Sequence, residues 1–164
     1  IKDSDIGAKD LKKEANIRGI EPNRIIFAEK IPLSEHLARH KLADLFIDTF
    51  PYTAHTTCSD ALWSGLPVIT RAGKSFASRV GASILNAIGL EELITKTEKE
   101  YEYLATQLAT KSEFLNKINK KLEKNKIKKP LFNTKLYTSH IEKAYIKIYK
   151  NHQSNFTLEN IEIK

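Results

Sequence analysis

The stretch that most constrains the fold is residues 43–70, ADLFIDTFPYTAHTTCSDALWSGLPVIT. Residues 45–48 form a short apolar run rich in β-forming side chains, residues 57–64 can form a helix, and residues 67–70 have the pattern of a second buried strand. This order predicts a β-α-β unit with parallel strands. Ligands usually lie beyond the carboxyl ends of such strands, so the loop of residues 50–57 is predicted to form the edge of a site.

The polar residues of this loop suit a phosphate group. A helix start offers unpaired backbone N–H groups and partial positive charge. His55, Thr56 and Thr57 add side-chain donors beside it, and the Asp60 carboxylate, one turn further on, can accept hydrogen bonds from both hydroxyls of a ribose. Together these groups predict a site for a nucleoside diphosphate.

Three features of this stretch also have a structural interpretation. Thr57 and Asp60 have the spacing of a capping box, in which the two side chains satisfy N–H groups of the helix start. Asp48, at the end of the first strand, can either cap the loop or contact a substrate. Cys58 can be a nucleophile at a helix start, but a small buried residue is the simpler role.

Five blocks in one order resemble the C-terminal catalytic lobe of the O-linked N-acetylglucosamine transferases, protein-modifying enzymes that often carry tetratricopeptide repeats. The blocks are NRIIF (23–27), SEHLARHKLAD (34–44), HTTCSDALWSGLPVIT (55–70), ASRVGASIL (77–85) and PLFNTKLYT (130–138). The resemblance extends from residue 24 to about residue 149. It implies an α/β fold, a Rossmann-like parallel sheet flanked by helices, as the donor-binding lobe of a two-lobed (GT-B) glycosyltransferase.

The resemblance also implies an activity, the transfer of N-acetylglucosamine from UDP-N-acetylglucosamine to Ser or Thr of an acceptor protein, with inversion at the sugar carbon. His36 would pack on the uracil ring with Arg39 close by. The donor-binding residues that it implies are His55, Thr56, Thr57, Asp60, His36, Arg39 and Ile31. It implies neither a metal nor another cofactor.

The resemblance places the acid–base residues and the phosphate-binding lysine of the family in an N-terminal lobe, in segments that precede those present here. The chain by itself is therefore expected to bind UDP weakly and to leave the donor unreacted. Two segments depart from the family pattern: Leu33 stands where the family has a lysine, and residues 50–52, Phe-Pro-Tyr, are more aromatic than the family loop. Contacts with the base, the sugar or the acceptor can differ there.

Two other functions fit these residues. One is a cytoplasmic enzyme that transfers glucose or another hexose from UDP-glucose, with Asn as a candidate acceptor. Its relatives tend to differ at the loop, so the intact His55-Thr56-Thr57 argues against it. The other is a protein without enzymatic activity that senses or displays a bound UDP-sugar.

The length and composition of the chain agree with one lobe of a larger protein. The chain has 164 residues and 41% apolar content, enough for one core. Residues 1–129 are predicted to form the donor-binding lobe, residues 130–150 a C-terminal helix that packs on it or crosses to the N-terminal lobe, and residues 151–164 a tail. There is no apolar run of about 18 residues, so no membrane contact is expected. The single cysteine allows no internal disulfide and suits the cytoplasm.

The net charge of +7 comes largely from residues 111–129, which contain eight Lys and two Glu. Phe114, Leu115, Ile118 and Leu122 recur there at helical spacing, which predicts an amphipathic helix with solvated lysines. One aromatic residue, no Arg and no binding motif argue against nucleic acid as a partner.

The remaining segments predict further helices and strands. Toward the N-terminus, a helix is predicted to stop at Gly19, residues 24–28 to form a strand covered on both faces, and Ser34 to cap a short helix. The later predictions are a helix at 79–87 that stops at Gly89, a strand at 93–95, a helix at 98–108, and a helix with an apolar stripe between residues 136 and 149.

Overall fold

The computed structural model describes residues 5–154 and 160–163. The chain divides into two compact units, Ile1–His40 and Lys41–Lys164. Residues 155–159 and 164, which belong to the predicted tail, lie outside the described residues. The predicted division of the chain at residues 129 and 150 stays a prediction.

The first unit contains two helices, α1 (Asp5–Ile17) and α2 (Leu33–Arg39), with a short 3-10 turn at Pro22–Arg24 between them. The predicted stop after α1 is confirmed, because Gly19 has φ 75° and the Ile20 N–H donates to the Ala15 carbonyl at 2.9 Å. A residue with a side chain would be strained at this φ, so glycine suits the position.

Two predictions for this unit are wrong. Residues 25–32 have no regular secondary structure, and Ile26, predicted to be covered in a strand, is 87% exposed. A strand needs a neighbouring strand to pair its backbone groups, and no described strand pairs with this segment. Ser34 is not a cap, because α2 begins at Leu33 and the Pro32 carbonyl accepts the N–H of His36 at 2.9 Å.

The second unit is an α/β unit built on three short parallel strands. The strands are β1 (Phe46–Ile47), β2 (Val68–Arg71) and β3 (Ile94–Thr95). The helices are α3 (Thr56–Trp63), α4 (Val80–Ile88), α5 (Glu98–Thr110), α6 (Ser112–Lys128) and α7 (Thr134–Gln153). The strand order is β1-β2-β3, with Phe46 opposite Val68 and Thr70 opposite Ile94. The predicted β-α-β unit is confirmed.

The core lies where the central strand meets the helices. Val68, Ile69 and Thr70 are all fully buried, as expected for a parallel strand covered on both faces. The other fully buried apolar side chains come from the helices and loops around it: Cys58, Ala61, Leu62, Leu85, Ile88, Leu90, Leu93 and Leu122. This packing fixes α3 against the sheet and so fixes where α3 begins.

Caps and turns hold the later helices. Gly89, with φ 71°, ends α4 as predicted, and the buried Asn125 side chain of α6 donates to the carbonyls of Ile88 and Gly89 at 2.8 and 3.1 Å. The predicted amphipathic character of α6 is confirmed, with Ile118 and Leu122 inside. The helix α7 has no buried residue, and Tyr145 in its apolar stripe is 67% exposed.

Candidate nucleotide site at the start of α3

The loop after β1 leads directly to the start of α3, at the carboxyl end of the parallel strands. A cavity of about 380 Å³ opens there. Ten residues line it, from the end of β1 to the first turn of α3: Phe46, Ile47, Asp48, Thr49, Tyr52, Thr53, Ala54, His55, Thr56 and Thr57. The three donors that the sequence predicted therefore share one cavity.

The start of α3 has donors that the helix does not use. His55 occupies the cap position, and its carbonyl accepts the N–H groups of Cys58 and Ser59 at 3.1 and 3.3 Å. The N–H groups of Thr56 and Thr57 precede these bonds and have no acceptor within the helix. The side chains of both threonines are exposed. Unpaired N–H groups beside hydroxyl groups form a suitable site for an anion.

The capping-box interpretation of this segment is wrong. Thr57 is the second residue of α3 and Asp60 lies inside the helix, so neither is placed to cap it. The His55 side chain makes no capping hydrogen bond either. Asp60 is half-buried and does not line the cavity. It lies one turn beyond Thr56, as the spacing predicted.

Two aromatic rings and a carbonyl surround the His55 imidazole. The Tyr52 ring stacks on it with centroids 4.8 Å apart and an interplanar angle of 19°. The Phe76 ring meets it edge-on, with centroids 6.1 Å apart. The Nε2 atom lies 3.4 Å from the Ala77 carbonyl oxygen. If the neutral ring donates its one N–H, at Nε2, to this oxygen, Nδ1 has no proton to donate. Nδ1 can then donate to a ligand only when the ring is doubly protonated.

The contacts of Asp48 support the first of its two interpretations, in which its carboxylate caps the loop. Its carboxylate is buried, with 5% exposure, and accepts the Ala54 N–H at 2.7 Å and the Thr70 hydroxyl at 2.6 Å. The Tyr101 hydroxyl donates to the Asp48 backbone carbonyl at 2.5 Å. One carboxylate oxygen thus holds Ala54, the residue that precedes His55, and the other joins this loop to Thr70 of β2.

A second set of hydrogen bonds ties this loop to the segment before α4. The buried Thr53 hydroxyl donates to the Ala77 carbonyl at 2.7 Å and accepts the Gly81 N–H at 3.3 Å. The N–H of Thr53 also donates to the Ala77 carbonyl, at 3.1 Å. These bonds bring residues 76 and 77 next to His55, a contact that no sequence signal indicated.

Cys58 is a core residue. Its side chain is fully buried, and burial, together with the negative charge of Asp48, raises the pKa of the thiol to about 12. The thiol therefore stays protonated at neutral pH and cannot act as a nucleophile. The simpler of the two sequence interpretations is confirmed.

The other predicted site residues lie in the first unit. Arg39 donates to the His36 Nδ1 atom at 2.7 Å and to the Glu29 carbonyl at 2.8 Å, so the predicted neighbours are in contact. Arginine can only donate, so His36 Nδ1 accepts and its neutral ring carries the proton on Nε2. Ile31 is half-buried in the irregular segment before α2, and Leu33, in the position of the family lysine, is 65% exposed.

Comparison with known proteins decides the family. The family model described as glycosyl transferase family 41 matches residues 2–141. The chain belongs to this family. The resemblance found in the sequence is therefore confirmed, and so is the predicted α/β glycosyltransferase fold.

The similar proteins of this family include curated enzymes and a solved structure. The chain is 34% identical over 155 residues to the UDP-N-acetylglucosamine–peptide N-acetylglucosaminyltransferase of Caenorhabditis elegans, covering 94% of this chain and 14% of the relative. It is 35% identical over 149 residues to the Arabidopsis thaliana protein named "Probable UDP-N-acetylglucosamine–peptide N-acetylglucosaminyltransferase SEC", covering 90% and 15%. A mutant of the Thermobaculum terrenum O-GlcNAc transferase superposes with a TM-score of 0.83 at 28% identity, covering 90% and 28%.

The chain thus spans about one seventh of the length of these curated relatives. Within the described residues, no group of three or more His, Cys, Asp or Glu side chains is arranged to hold a metal ion. No helix among those described has the length and apolar content needed to cross a bilayer.

Proposed function

We propose that this chain provides the donor-binding part of an enzyme that transfers N-acetylglucosamine from UDP-N-acetylglucosamine to Ser or Thr of proteins. The start of α3 supports this proposal most directly, because the His55 imidazole and the donors of Thr56 and Thr57 line one cavity. The names of the similar enzymes support the choice of donor and of a protein acceptor.

The proposed chemistry needs stabilisation of a leaving group. The acceptor hydroxyl oxygen attacks the sugar carbon from the face opposite the diphosphate, and the bond from that carbon to the diphosphate oxygen breaks with inversion. The hydroxyl proton passes to a base of the N-terminal lobe that the family resemblance implies. Negative charge grows on the departing UDP. The N–H groups and hydroxyls of Thr56 and Thr57, with the His55 ring, stabilise that charge from fixed positions. Losing one such donor raises the barrier by about 3 kcal/mol in comparable anion sites.

The remaining predicted residues bind the nucleoside in this proposal. Asp60 accepts the ribose hydroxyls, and His36, Arg39 and Ile31 bind the uracil. The contact of Arg39 with His36 supports a shared role, since it holds the imidazole ring in one orientation. The family resemblance assigns the acid–base residues to a partner N-terminal lobe, so the proposal gives this chain binding without turnover. We also propose a cytoplasmic location, which fits the single, buried thiol.

Calorimetric titration of the chain with UDP, UDP-N-acetylglucosamine and UDP-glucose tests this function. We expect UDP and UDP-N-acetylglucosamine to bind, and Asp60→Ala to weaken both by about tenfold, the effect of removing a charged hydrogen-bond acceptor. Asp60 has no side-chain partner among the described residues, so its removal should leave the fold intact.

The matched control is Asp44→Ala, which removes an exposed carboxylate that does not line the cavity and should leave affinity unchanged. Absence of UDP binding by the unmodified chain would contradict the proposed function. Tighter binding of UDP-glucose than of UDP-N-acetylglucosamine would instead favour the hexosyltransferase.

A further inference from the structure

The His55 ring is held by its neighbours and not by the helix that it precedes. It occupies the cap position of α3, yet its side chain makes no capping hydrogen bond. Its hydrogen bond to the Ala77 carbonyl is long, at 3.4 Å, and therefore weak. An imidazole that binds phosphate must be fixed before the ligand arrives, or ordering it reduces the binding energy.

The closest ring contact comes from Tyr52. The two rings are nearly parallel, at 19°, with centroids 4.8 Å apart, whereas the Phe76 ring is 6.1 Å away and edge-on. A nearly parallel stack restricts both the position and the tilt of the imidazole. The same arrangement stabilises a protonated ring, because the face of an aromatic ring carries partial negative charge.

We propose that Tyr52 is a positioning residue that holds the His55 imidazole toward the diphosphate; this inference rests on the proposed function. Tyr52 is 65% exposed, so its ring adds little to the core, and its ring stacks on that of His55.

Tyr52→Leu removes the ring and Tyr52→Phe retains it, so the pair separates stacking from the hydroxyl. Each variant is titrated with UDP and with uridine. We expect Tyr52→Leu to weaken UDP binding by about two- to tenfold, the range of an aromatic pair, and to leave uridine binding unchanged. Tyr52→Phe should bind UDP like the unmodified chain. Tyr103→Leu, which removes an equally exposed tyrosine of α5 (67%), is the control and should change neither.

Unchanged UDP affinity in Tyr52→Leu, or an equal loss for UDP and uridine, would overturn the proposal. So would a Tyr52→Phe variant as weak as Tyr52→Leu. A ligand-free measurement keeps this test separate from the proposed function: the His55 ring protons, assigned with His55→Gln, should move downfield in Tyr52→Leu because they lose the shielding of the stacked ring. Unmoved His55 resonances would overturn the positioning role even where UDP binds to no form of the chain.

Discussion

Asp48 shows how one buried side chain sets the geometry of a whole loop. Its carboxylate holds the Ala54 N–H and the Thr70 hydroxyl, and thereby joins the end of β1, the loop and β2. Ala54 directly precedes His55, so the position of this N–H determines where α3 can begin. The helix starts at Thr56, which leaves the donors of the first turn in the cavity.

Replacing Asp48 by Ala should destabilise the fold. The Ala54 N–H and the buried Thr70 hydroxyl would both lose their partner, and an unsatisfied buried group costs about 1–3 kcal/mol. We expect a loss of about 2–4 kcal/mol in the free energy of unfolding, measured by urea denaturation.

Asp48→Asn should retain most of that stability. The amide oxygen can accept from Ala54 while the NH₂ group donates to the Thr70 oxygen. Asp44→Ala, at an exposed position, is the control for the loss of a carboxylate. Equal stability of Asp48→Ala and Asp44→Ala would show that Asp48 does not hold the loop.

The sequence indicated the donor residues but not their support. His55, Thr56 and Thr57 are adjacent in the chain and precede a helix, so local pattern sufficed. The contacts of His55 with Phe76 and Ala77 join residues more than 20 positions apart and depend on the conformation of two loops. The Asp48 carboxylate was ambiguous because a strand end is suited both to a cap and to a ligand contact.

Among the elements, those of the β-α-β unit were predicted closely because each has its own local signal. β1 and β2 come from short apolar runs. Packing on both faces explains the run in β2, whereas Ile47 of β1 is 51% exposed. Residues 24–28 have the same signal, yet they form no strand. Pairing with a neighbouring strand decides between a strand and an irregular segment, and a single run does not carry that information.

Helix ends, like strands, are not decided by a local pattern alone, as two segments with the spacing of a capping box show. Thr57-x-x-Asp60 and Thr97-x-x-Glu100 have equal spacing, but only the second is a cap. The Thr97 hydroxyl accepts the Glu100 N–H at 3.2 Å, and the Glu100 carboxylate accepts the Thr97 N–H at 3.1 Å. In the Thr57–Asp60 segment, α3 has already begun at Thr56, so Thr57 lies inside the helix. The spacing alone therefore misplaces the start of α3 by a residue or more.

The capping box of α5 is predicted to stabilise the fold, and part of this stabilisation is predicted to depend on pH. Thr97→Ala should cost about 1 kcal/mol of stability. Thr106→Ala, inside α5, should cost nothing because alanine favours helix.

The N–H groups of Lys96 and Thr97 donate to the Glu100 carboxylate and hold its pKa below the usual 4.5.

A carboxylate with a lowered folded pKa stabilises the fold above its unfolded pKa, and this contribution is lost as the pH falls through the folded pKa. The stability advantage of the unmodified chain over Glu100→Gln should therefore be constant near neutral pH and shrink below about pH 4.5. An advantage that persists unchanged into strong acid would contradict the charged cap. Urea denaturation across this pH range measures it.

At the scale of the whole molecule, the predicted site residues are distributed over the sequences of the two compact units. His55, Thr56, Thr57 and Asp60 belong to Lys41–Lys164, and His36, Arg39 and Ile31 belong to Ile1–His40. The family match covers both, since it extends over residues 2–141. Both groups of residues therefore lie within the segment that the family shares.

The most direct test of this account is an amide proton–nitrogen NMR titration of the chain with UDP and, separately, with uridine. UDP should shift the backbone amides of Thr56 and Thr57 most strongly within the second unit, because their N–H groups would donate to the diphosphate. Uridine should leave these two amides in place, and His55→Ala should weaken the UDP response. If UDP binds while the Thr56 and Thr57 amides stay unmoved, the start of α3 does not bind the diphosphate and the account is wrong.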